Sequence, residues 1–357
     1  VDNEIQGSII GDWTGKFNKQ IWKILLFDRT TRKNIIWATS EYDSYGMGYE
    51  AKQEITLSAV SGIHGDIIQP RVMKSEALRQ QRTRKRAEVF TPSWLCNKQN
   101  NFVDVEWFER ECVFNMPEGD AWRSVSHPIL FPEKKSKTWK KYIDSRRLEL
   151  TCGEAPYLVS RYDTVTGATI DVEQRIGMLD RKLRIVNENA VDEGEWLKWA
   201  ERAFQSTYGY EFQGDNLLIA RINLLLTFLD NLRYRWQREA SFVELRKIAH
   251  VISWNIWQMD GLSGTVPYGT PEESMQQMSL FEETASDQMT QPQCRIRDWR
   301  WNDSLTYVSI KNHDYKGDSK MKFDVVIGII CSCLERGILS IPSDKRGICI
   351  ESIMRAC

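Results

Sequence analysis

No apolar run in the 357-residue sequence approaches the length needed to cross a bilayer, and no signal-peptide core follows Val1. A membrane partner is therefore not expected. The eight cysteines, at positions 96, 112, 152, 294, 331, 333, 349 and 357, form no regular framework. That argues against a disulfide scaffold and for a reducing, cytoplasmic setting. An excess of charge of one sign is also missing: the net charge of −1 excludes a globally basic nucleic-acid binder and leaves room only for local basic strips. There is no G-x-G-x-x-G fingerprint, and residues 1–70 hold no P-D-x(n)-E-x-K nuclease pattern. What is present, 41% hydrophobic and 27% charged residues, is the balance of a globular protein of two domains or of one with insertions. The 14 tryptophans suit packing or the stacking of bases.

Local patterns divide the chain. Gln20–Phe27 and Asn34–Ala38 read as strands joined by the basic turn Arg29–Lys33, within a small mixed α/β segment over residues 1–70. Arg71–Arg86 carries seven basic residues against Glu76 alone, either a solvated helix or connector or a phosphate-contacting strip. A second cluster places seven Lys or Arg between Lys134 and Arg147. Thr91-Pro92 is extended because proline restricts the residue before it, and Thr91 or Ser93 can cap a helix from Trp94. Leu148 and Leu150 alternate into a strand that runs into the turn Cys152-Gly153, a way in which open α/β sheets present backbone N–H groups to a nucleotide-like ligand. Helical spacing follows over 175–186 and 195–204. Thr207–Phe212 is a short strand carrying Glu211, and Asp215 or Asn216 can cap the helix 217–232. Glu211 is then either a surface turn acid or a partner for ribose hydroxyls at the strand's carboxyl end.

A helix over 242–252 leads into a strand ending at Asp260-Gly261. Residues 263–292, with five acids and no Lys or Arg, read as a polar insertion. Cys294–Trp301 reads as an edge strand, and Lys322–Gly328 as a buried parallel strand. Recurring strand–helix–strand units with acids or Gly at strand ends predict a doubly wound α/β sheet.

Taken in order, these pieces over roughly 71–328 resemble bacterial DNA adenine-N6 methyltransferases of restriction–modification systems, of the type labelled restriction endonuclease subunit M. Phe90-Thr91-Pro92 matches an extended Phe-Thr-Pro segment that touches S-adenosylmethionine in that family. Cys152-Gly153-Glu154-Ala155-Pro156-Tyr157-Leu158 aligns with the cofactor loop Asp-Pro-x-Cys-Gly-Ser-Gly-x-Phe-Leu, with Glu154 for Ser and Ala155 for the second Gly. Glu211 matches the ribose-binding acid, and Asp260, with Asp298 as a lesser claimant, matches the acid near the adenine amino group. The resemblance implies a Rossmann-like S-adenosylmethionine-binding sheet, double-stranded DNA as partner, and cofactor contacts from Phe90, Thr91, Pro92, Cys152, Gly153, Glu154, Glu211 and Asp260.

One departure bears on chemistry. The family follows its Phe-Asp-Val-Val-Ile-Gly strand with Asn-Pro-Pro-Tyr, which accepts hydrogen bonds from N6 of an extruded adenine and stacks on the base. Here Gly328 is followed by Ile329-Ile330-Cys331-Ser332. Four of the eight cysteines fall in the tail 329–357. A zinc site there fits poorly with Cys-x-Cys spacing. Out-of-frame sequence beyond Gly328 is the competing reading, with a partner chain as a source of the missing strands. The expectation is a methyltransferase by descent that binds the methyl donor and does not transfer it. The alternative is a non-catalytic nucleic-acid-binding or scaffold module.

Overall fold

The computed structural model describes residues 17–61, 66–86, 91–268 and 293–300, together with the backbone of the strands at 303–306 and 324–327. Phe90, most of the polar insertion and the tail after Gly328 lie outside the described residues.

The centre is a four-stranded parallel sheet of β3 (Arg147–Leu150), β4 (Thr207–Glu211), β5 (Ile256–Gln258) and β8 (Asp324–Ile327), in the order β5-β4-β3-β8. Register pairs Leu148 with Tyr208 and with Val325, and Gly209 with Ile256. Strand order therefore reverses at β3: the chain first steps out to β4 and β5, then returns to β8 on the other side. Parallel strands need crossovers, and those between the first three are helical. They are α5 (Met178–Asn189) with α6 (Glu193–Gln205) between β3 and β4, then α7 (Gly214–Trp236) with α8 (Phe242–Asn255) between β4 and β5. A short helix, α4 (Trp139–Asp144), leads into β3 and packs on α5 and α6. All residues of β3, β4 and β5 are buried, as expected of a sheet covered on both faces. α7 is buried almost all round from Gly214 to Phe228, which places it in the core rather than on a flank. The fold is thus mixed α/β with a parallel sheet. Among the described residues no helix is long and apolar enough to cross a membrane.

Two antiparallel hairpins flank the sheet: β1 (Asn115–Glu118) with β2 (Ala121–Ser124), and β6 (Arg295–Asp298) with β7 (Asp303–Thr306). The expected edge strand at 294–301 is β6, half of the second hairpin. α3 (Ser93–Phe108) begins where Thr91-Pro92 predicts. Its cap differs: no side chain of Thr91 or Ser93 serves, and Asp163 from a distant loop takes the Ser93 N–H at 2.8 Å. α7 likewise starts without a side-chain cap from Asp215 or Asn216. Gly214 is required there, since a Cβ would fall 2.0 Å from the Ile36 carbonyl oxygen, and its N–H bonds Trp37 O at 2.9 Å.

The expected strand at Gln20–Phe27 is instead a helix, α1 (Lys19–Leu26). Asn18 caps it, its Oδ1 accepting from the N–H groups of Gln20 and Ile21 at 3.0 Å each. Buried Ile21, Trp22, Leu25 and Leu26 follow helical rather than alternating spacing and pack on α8. Asn34–Trp37 is extended, Ala38 turns out of it with a left-handed φ of 54°, and the stretch is joined by isolated bridges at Asn34 and Ile36. It is docked on β5 by one side chain: the Gln258 amide donates to Ile36 O at 2.8 Å and accepts from Ile36 N at 2.9 Å. One hydrophobic core runs from Phe17 through α1, α7 and α8 to Ile256.

Candidate functional site

β3 ends at Leu150 in a turn whose alternate residues, Thr151, Gly153 and Ala155, all have left-handed backbone, at φ 47°, 52° and 66°. For a residue with a Cβ that conformation costs about 1–2 kcal/mol, and it persists only where surroundings impose it. They do so here. Cys152 N donates to Tyr210 O at 2.7 Å, Ala155 N to Cys152 O at 2.6 Å, and Val159 N closes back on Ala155 O at 2.9 Å. Ala155 occupies the position where the resembling family has its second Gly, and its φ is one that glycine adopts freely.

Across the strand ends lies Glu211, the last residue of β4. Its Oε2 accepts from Gly153 N at 2.9 Å and its Oε1 from Gln213 N at 3.1 Å. Its carbonyl takes Met259 N at 3.0 Å, which ties the ends of β4 and β5. Asp260 follows at once; its Oδ1 accepts from Leu262 N at 2.8 Å and Ser263 N at 3.4 Å, folding a small loop closed by Gly264 N on Asp260 O at 2.8 Å.

Glu154 turns away from this contact. Its carboxylate takes Arg71 N and the Tyr162 hydroxyl, both at 2.5 Å, and the Asn223 amide donates to its carbonyl at 3.2 Å. It acts as a strut between the turn and the chain entering α2 (Glu76–Arg86). Thr91 and Pro92 lie against the loop that leaves the turn: the Thr164 hydroxyl donates to Thr91 O at 3.0 Å. Burial alone would raise the Asp163 carboxyl, but the Ser93 and Thr166 N–H groups outweigh it and hold it below its ordinary value.

Gly153 and Glu211 are therefore in direct contact, Asp260 is linked to them through Met259, and Thr91-Pro92 is joined through the loop at 163–164. Asp298 is at the other end of the sheet. Buried, it holds the Arg146 guanidinium just before β3 with both oxygens at 2.9 Å, which removes it as a claimant for the adenine amino group.

No sequence motif marks Glu149. It sits within β3, 1% exposed, with Oε1 near Tyr157 N at 3.4 Å and Oε2 without a hydrogen-bond partner among the described residues. Burial, above all, raises its carboxyl well above the ordinary range; the N–H groups of Tyr157 and Leu158 oppose this, and the charge of Glu211 adds to it. Burial also pushes up the Cys152 thiol, with Glu149 and Glu211 adding, so it is an inert packing group rather than a nucleophile. The one signal for Glu149 is an acid between two apolar residues in a strand buried on both faces.

The segment entering α7 is fixed by a buried charge cluster. Asp215 accepts from Lys74 at 3.0 Å, Arg82 at 2.8 Å and the Tyr42 hydroxyl at 2.9 Å. Burial alone would raise its carboxyl, yet Lys74 and Arg82 hold it far below the usual carboxylate range. Two of the seven cations of the 71–86 strip are consumed this way. In the second cluster Arg146 and Arg147 are buried, while Lys134 and Lys140 pair with Glu109 and Glu195. Neither cluster is a free row of charge.

Set against models of known protein families, curated proteins and solved structures, the chain matches none of them.

Proposed function

We propose that this chain is a Rossmann-like S-adenosylmethionine-binding domain of the DNA adenine-N6 methyltransferase type, holding the methyl donor without the residues that present the acceptor. The observation that carries this reading is the Gly153 N–H held by the Glu211 carboxylate beside the strand where sheet order reverses. Ligands of open α/β sheets bind at that reversal, at the carboxyl ends of the strands. S-adenosylmethionine supplies an electrophilic methyl group on a sulfonium centre.

The residues present fit such a ligand. Glu211 exchanges its loop N–H for ribose hydroxyls, which a carboxylate accepts in pairs. In the left-handed turn at 151–155, Gly153 offers bare backbone to the ligand, while the neighbouring Glu154 carboxylate is buried against Arg71 N and the Tyr162 hydroxyl. Glu149, a buried acid that favours its neutral form, has an unpartnered oxygen beneath the turn that accepts from an N–H-bearing group under this reading. Under this reading Thr91-Pro92 and Asp260 also contact the ligand, as the resemblance implies.

The acceptor half is different. After β8 the sequence has Ile329-Ile330-Cys331-Ser332, which offers no amide and no proline carbonyl to N6 and no ring to stack on a base. Double-stranded DNA is the partner under this reading, with transfer requiring groups from another chain.

Equilibrium titration with S-adenosylmethionine and with its demethylated product tests the pocket. Saturable binding is expected, weakened by Glu211→Ala about tenfold to a hundredfold, the loss of charge-assisted hydrogen bonds worth about 1.5–3 kcal/mol. Binding of neither compound, or no change in Glu211→Ala, overturns the pocket. Methyl incorporation into mixed-sequence duplex DNA above background overturns the absence of transfer.

A further inference from the structure

At the end of the sheet opposite Glu211, three distant segments build a surface of stacked rings and guanidinium groups. They are the basic turn at 28–33, the last turns of α8, and β6 with the residues that follow it. The Arg29 guanidinium lies 5.0 Å from the Phe27 ring and 5.6 Å from the Trp254 ring. Arg297 lies 5.7 Å from the same Trp254 and 4.7 Å from Trp299. The stack therefore alternates ring and cation from Phe27 to Trp299. Because Trp254 lies two residues before the first residue of β5, it marks the amino end of the strands, a full strand length from Asp260.

Asp28 offsets part of the Arg29 charge, but no carboxylate is paired with it among the described residues. Arg29 donates only to neutral acceptors, the Ser253 hydroxyl at 2.7–2.9 Å, and contacts His250 Nδ1 at 3.1 Å. Asp28, the nearest acid, is buried and spends its oxygens on Thr30 N, Thr31 N and the Thr31 hydroxyl. Among the described residues, no carboxylate pairs with Arg29, Arg32, Lys33 or Arg246, whereas cations elsewhere on the surface, such as Arg233, Arg238 and Lys247, are matched. His250, half-buried in the middle, has its pKa driven down to about 4 by burial first, and then by Arg29, Arg297 and Arg246. Burial is the larger cause, and the three arginines facing the ring add to it.

We propose that this face docks the phosphate backbone of a nucleic acid. Exposed Arg32, Lys33 and Arg246 neutralise phosphates, and the stacked Arg29 holds its remaining donors in a fixed plane suited to a phosphate oxygen pair. The tryptophans serve as rigid supports for the guanidinium groups. Docking here leaves the Glu211 pocket free on the opposite edge, so it tethers a nucleic acid without presenting a base to that pocket. It does not depend on the pocket reading.

The test is binding of a labelled mixed-sequence duplex to the full chain, without cofactor, between about 50 and 200 mM salt. The triple variant Arg32→Glu, Lys33→Glu, Arg246→Glu changes only exposed side chains. It is compared with Lys135→Glu, Lys141→Glu, Lys198→Glu, equally exposed and equal in charge change. The first triple is expected to weaken binding at least about tenfold and to make the log–log salt slope shallower by about 3, near 0.9 per phosphate; the second is expected to stay within about threefold. Equal losses from both triples, or none from the first, overturn the proposal. So does polyglutamate competing as well as unlabelled DNA by weight, which would assign the face to an acidic protein. S-adenosylmethionine titration of the first triple separates the two readings: its pocket lies at the other edge, so affinity for that compound stays unchanged if both hold. Loss of DNA binding in a chain that binds no S-adenosylmethionine would remove the pocket and keep the docking face.

Discussion

The two ends of the parallel sheet carry opposite charge chemistry. At the carboxyl end stand Glu149, Glu211, Asp260 and Asp215, drawn from β3, β4, the segment after β5 and the start of α7. At the amino end stand Arg29, Arg246 and Arg297 with Trp254 and Trp299, beside the buried Arg146–Asp298 pair, which neutralises itself. The βαβ path explains the separation. Each crossover ends with its helix running into a strand, so helix carboxyl ends collect at the amino edge and favour cations, while the start of α7 lies at the carboxyl edge and favours anions. The acids are mostly buried and answered by backbone N–H groups or by Lys74 and Arg82. Arg29 and Arg297 are half-buried and stack on rings, Arg29 also donates to the neutral Ser253 hydroxyl, and Arg246 is exposed. Under the two proposals the first arrangement fixes one small ligand in one geometry, and the second attracts a large anion from solution.

The sharpest way to break this contrast is to remove one charge from each end. Asp215→Ala leaves Lys74 and Arg82 buried without their acid, and is expected to destabilise the protein by about 3–5 kcal/mol. Arg29→Ala removes a charge that had no ionic partner among the described residues and is expected to cost about 1 kcal/mol, chiefly lost stacking. Urea midpoints measure both. Equal costs would mean that the carboxyl end is no better neutralised than the amino end. The pH dependence has a definite sign. The Asp215 carboxyl is depressed on folding, so its contribution is present above the ordinary carboxylate pKa and is lost as pH falls below it.

Glu149→Gln sharpens the same contrast from within the carboxyl end. Its folded pKa is raised, so the native state favours the neutral acid and the unfolded state ionises first. The unfolded chain then binds fewer protons, and stability falls as pH rises above the ordinary glutamate value. Glutamine cannot ionise and should stabilise the protein at neutral pH, because its folding no longer carries the cost of neutralising a carboxylate. The gain should shrink toward zero near the ordinary glutamate pKa, roughly pH 4. Denaturation midpoints at several pH values decide it, and a gain that is flat with pH would show that Glu149 is not the titrating group.

Much of this architecture is legible in the sequence because the relevant signals are local. Alternating Leu148 and Leu150, the run Thr207–Glu211 and the broad stripe of α7 locate strands and helices within a few residues. The recurring strand–helix–strand order of those pieces points to a parallel sheet. Three features are not legible, each for a physical reason. Gln20–Phe27 is equally apolar by either period, and only the Asn18 cap and packing on α8 make it helical. The basic clusters at 71–86 and 134–147 look like solvent-facing charge, but Asp215 and Asp298 arrive from 133 and 152 residues away to bury Arg82 and Arg146. The docking face has no motif at all. Arg29, His250 and Arg297 are far apart in the chain, and their juxtaposition exists only once α1 lies on α8 and β6 passes below β4.

His250 offers the finest test of the contrast, since the three arginines of the amino end face its ring. Its folded pKa of about 4 lies below the ordinary 6.5, so the unfolded state takes up the proton first. The stabilisation is full above pH 6.5 and lost as pH falls toward 4. The ring is half-buried, so solvent screening reduces the effect on stability to roughly 1 kcal/mol. Phosphates docked on Arg29, Arg246 and Arg297 would cancel part of the repulsion and raise the His250 pKa toward its ordinary value. Proton linkage then requires DNA binding to tighten as pH falls through the range between the two values. The gain is about tenfold for a bound-state pKa one pH unit above the free value. A proton NMR titration of the His250 ring, assigned by loss of its signal in His250→Gln, measures the pKa with and without duplex. A pKa that stays near 4 in the presence of saturating DNA would place the nucleic acid away from this face.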